Sequence, residues 1–333
     1  MMLFIISLAG CNKEEEHSKE AFMMGTIISL KYYGKDGEKA LEESLKRINE
    51  IEEEMSLNIE ESEIAKINSK AGEEPVRVSE DVFKVIDKGI YYGQLSNGAF
   101  DITIRPVDAL WAIGTDKERV PKDEEIKNAL KYINYKDIEV DKNKNSIFLK
   151  KKNMGIDLGG IAKGYTADEL VKVLKKYDIN RGLINLGGNL YVYGGKEDGT
   201  PLNIGIQDPK GDKGEHFAVV KVKNKSVVTS GNYERYFLKD GKRYHHIMDT
   251  KTGYPAENGI ISSTIISDNS IDGDALSTAT YVLGLQDAMN LIDTLDGVEA
   301  IFVTEDNKVY TSKGISKDNF NIDNKEYIYE KGR

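Results

Sequence analysis

Two short stretches of the chain hold most of the side chains able to move a proton or hold a cation. Residues 243–255, RYHHIMDTKTGYP, set His245 and His246 beside Asp249 and a Gly-containing turn. Imidazole is the usual proton carrier near neutral pH. Each histidine is therefore a candidate base, and each also has a plain structural reading. Residues 272–279, DGDALSTA, place Asp274 and Thr278 four apart, on one face of the helix they begin. A carboxylate with the hydroxyls of Ser277 and Thr278 suits a hard cation that takes oxygen ligands, Mg²⁺ before Zn²⁺. The competing reading is that Asp274 only caps its helix.

Three further stretches suit a ligand. Residues 155–165, GIDLGGIAKGY, lie between a predicted strand and a predicted helix. Glycines at such a turn expose backbone N–H groups and the positive end of a helix, a place for phosphate. Lys163 adds positive charge, and Asp157 is a hydrogen-bond acceptor. The spacing is neither GxGxxG nor a Walker loop, so a structural turn stands beside the ligand loop as a reading. Gly98-Ala99-Phe100-Asp101-Ile102-Thr103, with Pro106 and Leu110-Trp111, contains the chain's one tryptophan. Large aromatics argue for core there, while the small Gly-Ala pair could seat a flat ring. Met24-Gly25-Thr26 stands just before a strand, either as its entry turn or as a close backbone approach to a ligand.

These residues need a fold to position them, and composition bounds it. The 333 residues are 39% apolar and 31% charged, enough for a substantial core in one large or two small domains. The net charge of −10 argues against nucleic acid as a partner. The single cysteine, Cys11, excludes a disulfide framework and a cysteine-rich metal site. It ends the apolar opening MMLFIISLAGC, and Leu8-Ala9-Gly10-Cys11 looks like a bacterial lipobox. Residues 1–11 then read as a signal peptide with Cys11 the lipidated site. Residues 12–20 read as a charged tether, and 21–333 as one domain on the extracytoplasmic face of a membrane.

Periodicity supplies the elements. Leu41, Leu45, Ile48, Ile51 and Met55 share one face of a helix over 38–56. Further helices are predicted over 81–95, 164–177, 274–284 and 286–295. Strands are predicted over 26–33, 146–150, 183–193, 203–207, 217–222, 227–229, 242–248, 260–267, 299–303 and 308–312. Strands so close in sequence, joined by short turns such as Asp240-Gly241, favour antiparallel pairing. The expected class is α+β: a largely antiparallel sheet core with packed helices.

In this order, the segments resemble the ApbE family of FAD:protein FMN transferases, often lipoproteins. The matching stretches are MGT at 24–26, GAFDITIRPV at 98–107 with Leu110-Trp111, IDLGGIAKGY at 156–165, LINLGGN at 183–189, HIMDTKTGYP at 246–255 and DALSTA at 274–279. The resemblance implies that Met24, Ala99, Phe100, Asp101, Asp157, Lys163 and Met248 contact FAD. It implies that the Gly160 carbonyl, Asp274 and Thr278, with Ser277 beside them, hold Mg²⁺, and that His246 serves the transfer chemistry. Thr250 departs from the proline common after the aspartate, and Asn58 lies near where an aromatic FAD contact is usual.

The implied reaction is attack by a Thr or Ser hydroxyl of an acceptor flavoprotein on the flavin-side phosphorus of FAD, with AMP leaving. Such acceptors include subunits of membrane electron-transport complexes. The step needs charge neutralisation, in-line positioning and help with one proton. Two alternatives keep the same site: an FAD pyrophosphatase, with water as acceptor, and a non-catalytic FAD-binding lipoprotein.

Overall fold

The computed structural model describes residues 14–330. The chain opens with the hairpin β1 (Glu16–Met23) and β2 (Thr26–Tyr33), then α1 (Gly37–Met55) and α2 (Glu63–Ser69). β3 (Val76–Arg77) precedes α3 (Glu80–Leu95), α4 (Arg105–Trp111) and α5 (Asp123–Ala129). β4 (Ile138–Asp141) and β5 (Ser146–Leu149) lead through the glycine loop to α6 (Ala162–Lys176). A run of strands follows: β6 (Arg181–Leu186), β7 (Asn189–Tyr193), β8 (Leu202–Gln207), β9 (His216–Val222), β10 (Lys225–Gly231), β11 (Tyr236–Lys239), β12 (Lys242–His245) and β13 (Ile260–Ser267). After α7 (Ser270–Leu283) and α8 (Leu285–Ile292) come β14 (Glu299–Thr304), β15 (Lys308–Thr311), β16 (Phe320–Ile322) and β17 (Ile328–Glu330).

Nine strands form one sheet in the order β1-β2-β6-β7-β10-β13-β14-β15-β17. Every pairing in it is antiparallel except β15 with β17. The α+β class with a largely antiparallel sheet is thus what the molecule has. Helices α6 and α7 pack on each other, and α7 lies across β10 and β13. The predicted stripe of α1 is buried at Leu41, Ile48, Ile51 and Met55. Each such side chain contributes about 1.5–3 kcal/mol by leaving water.

Three expectations change. The charged run 12–20 is not tether throughout, because residues 16–20 belong to β1 and pair with β2 from Glu16↔Tyr33 onward. β1 is an edge strand, so a polar sequence suits its solvent face. The run 183–193 is two strands, split at Gly187 and Gly188, whose φ of 63° and 93° make the tight hairpin turn. Helix α7 starts at Ser270, a turn before Asp274, so Asp274 is no N-cap. Its first N–H groups are satisfied instead from α6, where the Asp168 carboxylate accepts from Ser270 N at 2.7 Å and Ile271 N at 2.9 Å. Cys11 and the proposed signal peptide lie outside the described residues.

Candidate active site

The glycine loop alternates. Ile156, Leu158 and Ile161 are buried in the main core, which pins the loop from below. Asp157, Gly159, Gly160 and Lys163 are left facing outward. Asn68 of α2 clamps the strand side, accepting from Ile156 N at 2.6 Å and donating to Ile156 O at 2.9 Å. Asp157 Oδ1 accepts from Gly159 N at 2.7 Å, and Lys163 Nζ donates to Gly159 O at 2.9 Å. Asp157 N donates to Ile102 O at 2.8 Å, tying the loop to the 98–104 segment.

Asp274 reaches the start of α6 from α7. Its Oδ2 accepts from Gly164 N at 2.8 Å, and its Oδ1 lies 3.9 Å from Lys163 Nζ. Gly164 has no side chain because α7 lies against it: a Cβ there would sit 2.4 Å from Ser270 O and 2.7 Å from Asp274 Cβ. The Gly164 N–H, which in a longer helix would turn back to the Gly160 carbonyl, goes to Asp274, leaving that carbonyl for another partner. A Cβ on Gly160 would stand 3.5 Å from Thr278 Oγ1 and 3.1 Å from the Phe100 ring. Gly160, Asp274, Thr278 and Phe100 therefore converge. Ser277, fully buried, turns its hydroxyl to Asp274 O at 2.9 Å and to Ser230 Oγ at 2.8 Å, and Ser230 Oγ is 3.3 Å from Thr278 Oγ1.

The donor set is one carboxylate with neutral hydroxyl and carbonyl oxygens. It fits a hard cation that takes its remaining ligands from phosphate or water, as Mg²⁺ does. Among the described residues no three His, Cys, Asp or Glu side chains gather, as a zinc site would require.

The two histidines separate cleanly. His245 is buried, with Nε2 3.2 Å from Ala256 O, Nδ1 accepting from Ile247 N at 3.3 Å, and its ring edge-on to Tyr281. Both nitrogens are used and neither can take a proton from a substrate. Burial pushes its pKa down to about 4. His246 opens to solvent, with Nδ1 3.2 Å from Arg235 O. A carbonyl only accepts, so Nδ1 carries the hydrogen and Nε2 presents the lone pair. One edge of the ring is open, yet the protein crowded round the rest lowers its proton affinity, and the positive charges of Arg235 and Lys163 lower it further. The charge of Lys163, on the glycine loop, is among those that act on His246.

The other expected residues are placed less directly. Asp101 is turned inward: Oδ1 accepts from Thr103 N and Oγ1, and Oδ2 from Tyr135 N. Met248 is buried with Val107, Trp111, Ile126 and Ala129, and bridges to Pro255. Ala99 and Phe100 are buried beside the loop. Met24 at φ 51° and Gly25 at φ 69° close the two-residue turn between β1 and β2. Trp111 is core, and its Nε1 donates to Gly253 O at 2.8 Å, bracing the histidine turn. Thr250 makes a contact proline could not, donating to Gly98 O at 2.5 Å. Asn58 is exposed. Sequence reasoning missed Asn68, Asp168 and Ser230. Each acts across a long sequence separation, so no local spacing marks it.

The fold and this site define a class: an antiparallel-sheet enzyme that joins a glycine loop, an aspartate-bearing helix and a histidine turn. The chain belongs to the ApbE family, whose pattern matches residues 24–302. It is 34% identical to the FAD:protein FMN transferase of Treponema pallidum, over 93% of this chain and 90% of that one. It is 36% identical to the enzyme of the same name from Klebsiella pneumoniae, over 89% and 92%. The crystal structure of the ApbE protein of Thermotoga maritima superposes with a TM-score of 0.84 at 33% identity, covering 90% of this chain and 98% of that one. The flavin transferase ApbE from Vibrio cholerae gives 0.81 at 26% identity, with the same coverage.

Proposed function

We propose that this protein is a Mg²⁺-dependent FAD:protein FMN transferase, moving FMN from FAD to a Thr or Ser hydroxyl of an acceptor flavoprotein and releasing AMP. The observation that carries the reading is the meeting of Asp274, Thr278 and Lys163 at the glycine loop. The family's named activity agrees with it.

In this reading Lys163 holds phosphate oxygens and offsets charge as the new P–O bond forms. His246 Nε2 takes the proton of the incoming hydroxyl. The hydroxyl oxygen bonds to the flavin-side phosphorus, and the bond from that phosphorus to the bridging oxygen breaks, that oxygen leaving on AMP. Asp274, Thr278 and the Gly160 carbonyl would hold Mg²⁺, which supplies Lewis-acid stabilisation of phosphate charge when bound. A lipid on Cys11 would be joined to β1 through residues 12–15 alone, keeping the enzyme near the membrane and near an acceptor in a membrane electron-transport complex.

The test is the intact mass of a candidate acceptor domain after incubation with this protein, FAD and Mg²⁺. The expected result is a gain of one FMN that disappears with EDTA or with Asp274→Ala. FMN and AMP free in solution without acceptor modification would make the protein an FAD pyrophosphatase. FAD left intact with each of several acceptors would leave a binding protein.

A further inference from the structure

We infer that Ser230 is a positioning residue that turns the lone pairs of the Thr278 hydroxyl toward the cation. This rests on the reading of Asp274, Thr278 and the Gly160 carbonyl as metal holders. The direction of each hydrogen bond is fixed by the number of hydrogens each hydroxyl carries. A serine or threonine hydroxyl has one hydrogen to give and can accept on oxygen. Three contacts form a row: Ser277 Oγ to Asp274 O at 2.9 Å, Ser277 Oγ to Ser230 Oγ at 2.8 Å, and Ser230 Oγ to Thr278 Oγ1 at 3.3 Å. The Asp274 backbone carbonyl can only accept, so Ser277 must donate to it. Ser277 then has no hydrogen left for Ser230, and Ser230 must donate to Ser277. Ser230 in turn has none left for Thr278, so Thr278 donates to Ser230. Only this direction satisfies all three contacts.

The consequence falls on Thr278. Its hydrogen points to β10, away from Asp274, and its lone pairs are left for a cation. A hydroxyl free to rotate would instead spend part of its time presenting a hydrogen to that cation. Both ends of the row lie on α7, and its middle, Ser230, is held on β10 in register with Ser263 of β13. Ser277, fully buried and used at both contacts, belongs to this row and is closed to solvent. Groups that orient metal ligands in this way are worth roughly 10-fold or more in metal affinity.

The experiment titrates the full chain with Mn²⁺ in a non-chelating buffer without nucleotide, read by loss of the free-ion EPR signal. Wild type, Ser230→Ala, Ser230→Thr, Ser277→Ala and the Ser230→Ala/Ser277→Ala double variant are compared, with Asp274→Ala as the control that removes the site. The expected result is binding about 10-fold weaker in Ser230→Ala and near wild type in Ser230→Thr, with Ser277→Ala also weakened and the double variant no worse than Ser230→Ala alone. The metal-free melting temperature of Ser230→Ala should stay near that of wild type, which separates orientation from folding. Ser230→Ala binding Mn²⁺ as tightly as wild type, while Asp274→Ala does not bind, would overturn the role of Ser230 and leave the metal site standing. Wild type binding no better than Asp274→Ala would overturn the metal reading and this inference with it.

Discussion

At the residue scale burial and hydrogen-bond partners tell the adjacent histidines apart. His246→Ala should slow transfer about 100-fold or more, the usual contribution of a general base, while leaving the melting temperature unchanged. His245→Gln should do the reverse: transfer is retained in the folded fraction, and stability falls by about 1–3 kcal/mol as the Tyr281 contact and the paired nitrogens are lost. The pH profile gives a second check. The His246 pKa is lowered, so Nε2 stays unprotonated to more acid pH than an ordinary imidazole. The acid limb of kcat/KM should lie below about 6.5, and a limb at or above that value would remove His246 as the base. The sequence narrowed the base to two neighbours. It could not choose between them, because the deciding partners are the carbonyls of Arg235 and Ala256, and backbone carbonyls leave no mark in residue type. Ser230 was invisible for a related reason: a serine on a strand announces nothing until α7 is laid across it.

At the element scale the site depends on how closely α7 lies against the start of α6. That closeness is set by Gly164, where the obstacles to a Cβ are backbone atoms that cannot swing away. Gly164→Ala should therefore push the helices apart, loosen Asp274 from the loop and cost about 1–3 kcal/mol or more by overpacking, read as a lower denaturant midpoint. Gly160→Ala makes a useful contrast. Its new methyl meets the Phe100 ring edge and the Thr278 hydroxyl, both side-chain atoms that can give. It should weaken FAD binding with less effect on the midpoint, and equal losses of stability in the two variants would contradict this division. The long periodic elements were legible in the sequence because burial on one face imposes the pattern: α1, α3, α6, β2 and β13 fall within a residue or two of prediction. The start of α7 was hidden, since Gly273 interrupts the pattern and the capping carboxylate of Asp168 comes from another helix. β1 was hidden by its charges, because an edge strand with one wet face has the composition of a tether.

At the scale of the whole molecule two buried groups near this helix pair tie stability to pH with opposite signs. Burial lowers the His245 pKa to about 4, from an ordinary 6.5. As pH falls below about 6.5 the unfolded chain takes up a proton that the folded chain refuses. The stability His245 contributes above that pH is therefore lost on acidification, down to its folded pKa. Burial raises the Asp168 pKa to about 6, from an ordinary 3.8, despite the two N–H groups of α7 that favour its charge. There the folded state holds a proton the unfolded state has released, so the contribution is full below about 3.8 and is lost as pH rises through 6. Each effect is on the order of 3 kcal/mol, from 1.36 kcal/mol per pKa unit. The two oppose each other between about pH 4 and 6, so wild type alone would hide both. Single substitutions separate them. The stability cost of His245→Gln should shrink between pH 7.5 and pH 4.5, because the variant has no histidine proton to refuse. The cost of Asp168→Asn should grow over the same interval, because the variant lacks the gain that protonation brings to wild type. Denaturant midpoints measured at the two pH values decide the matter. Costs that move in the same direction would mean that the coupling of α6, α7 and the histidine turn to protons is not set by burial of these two side chains.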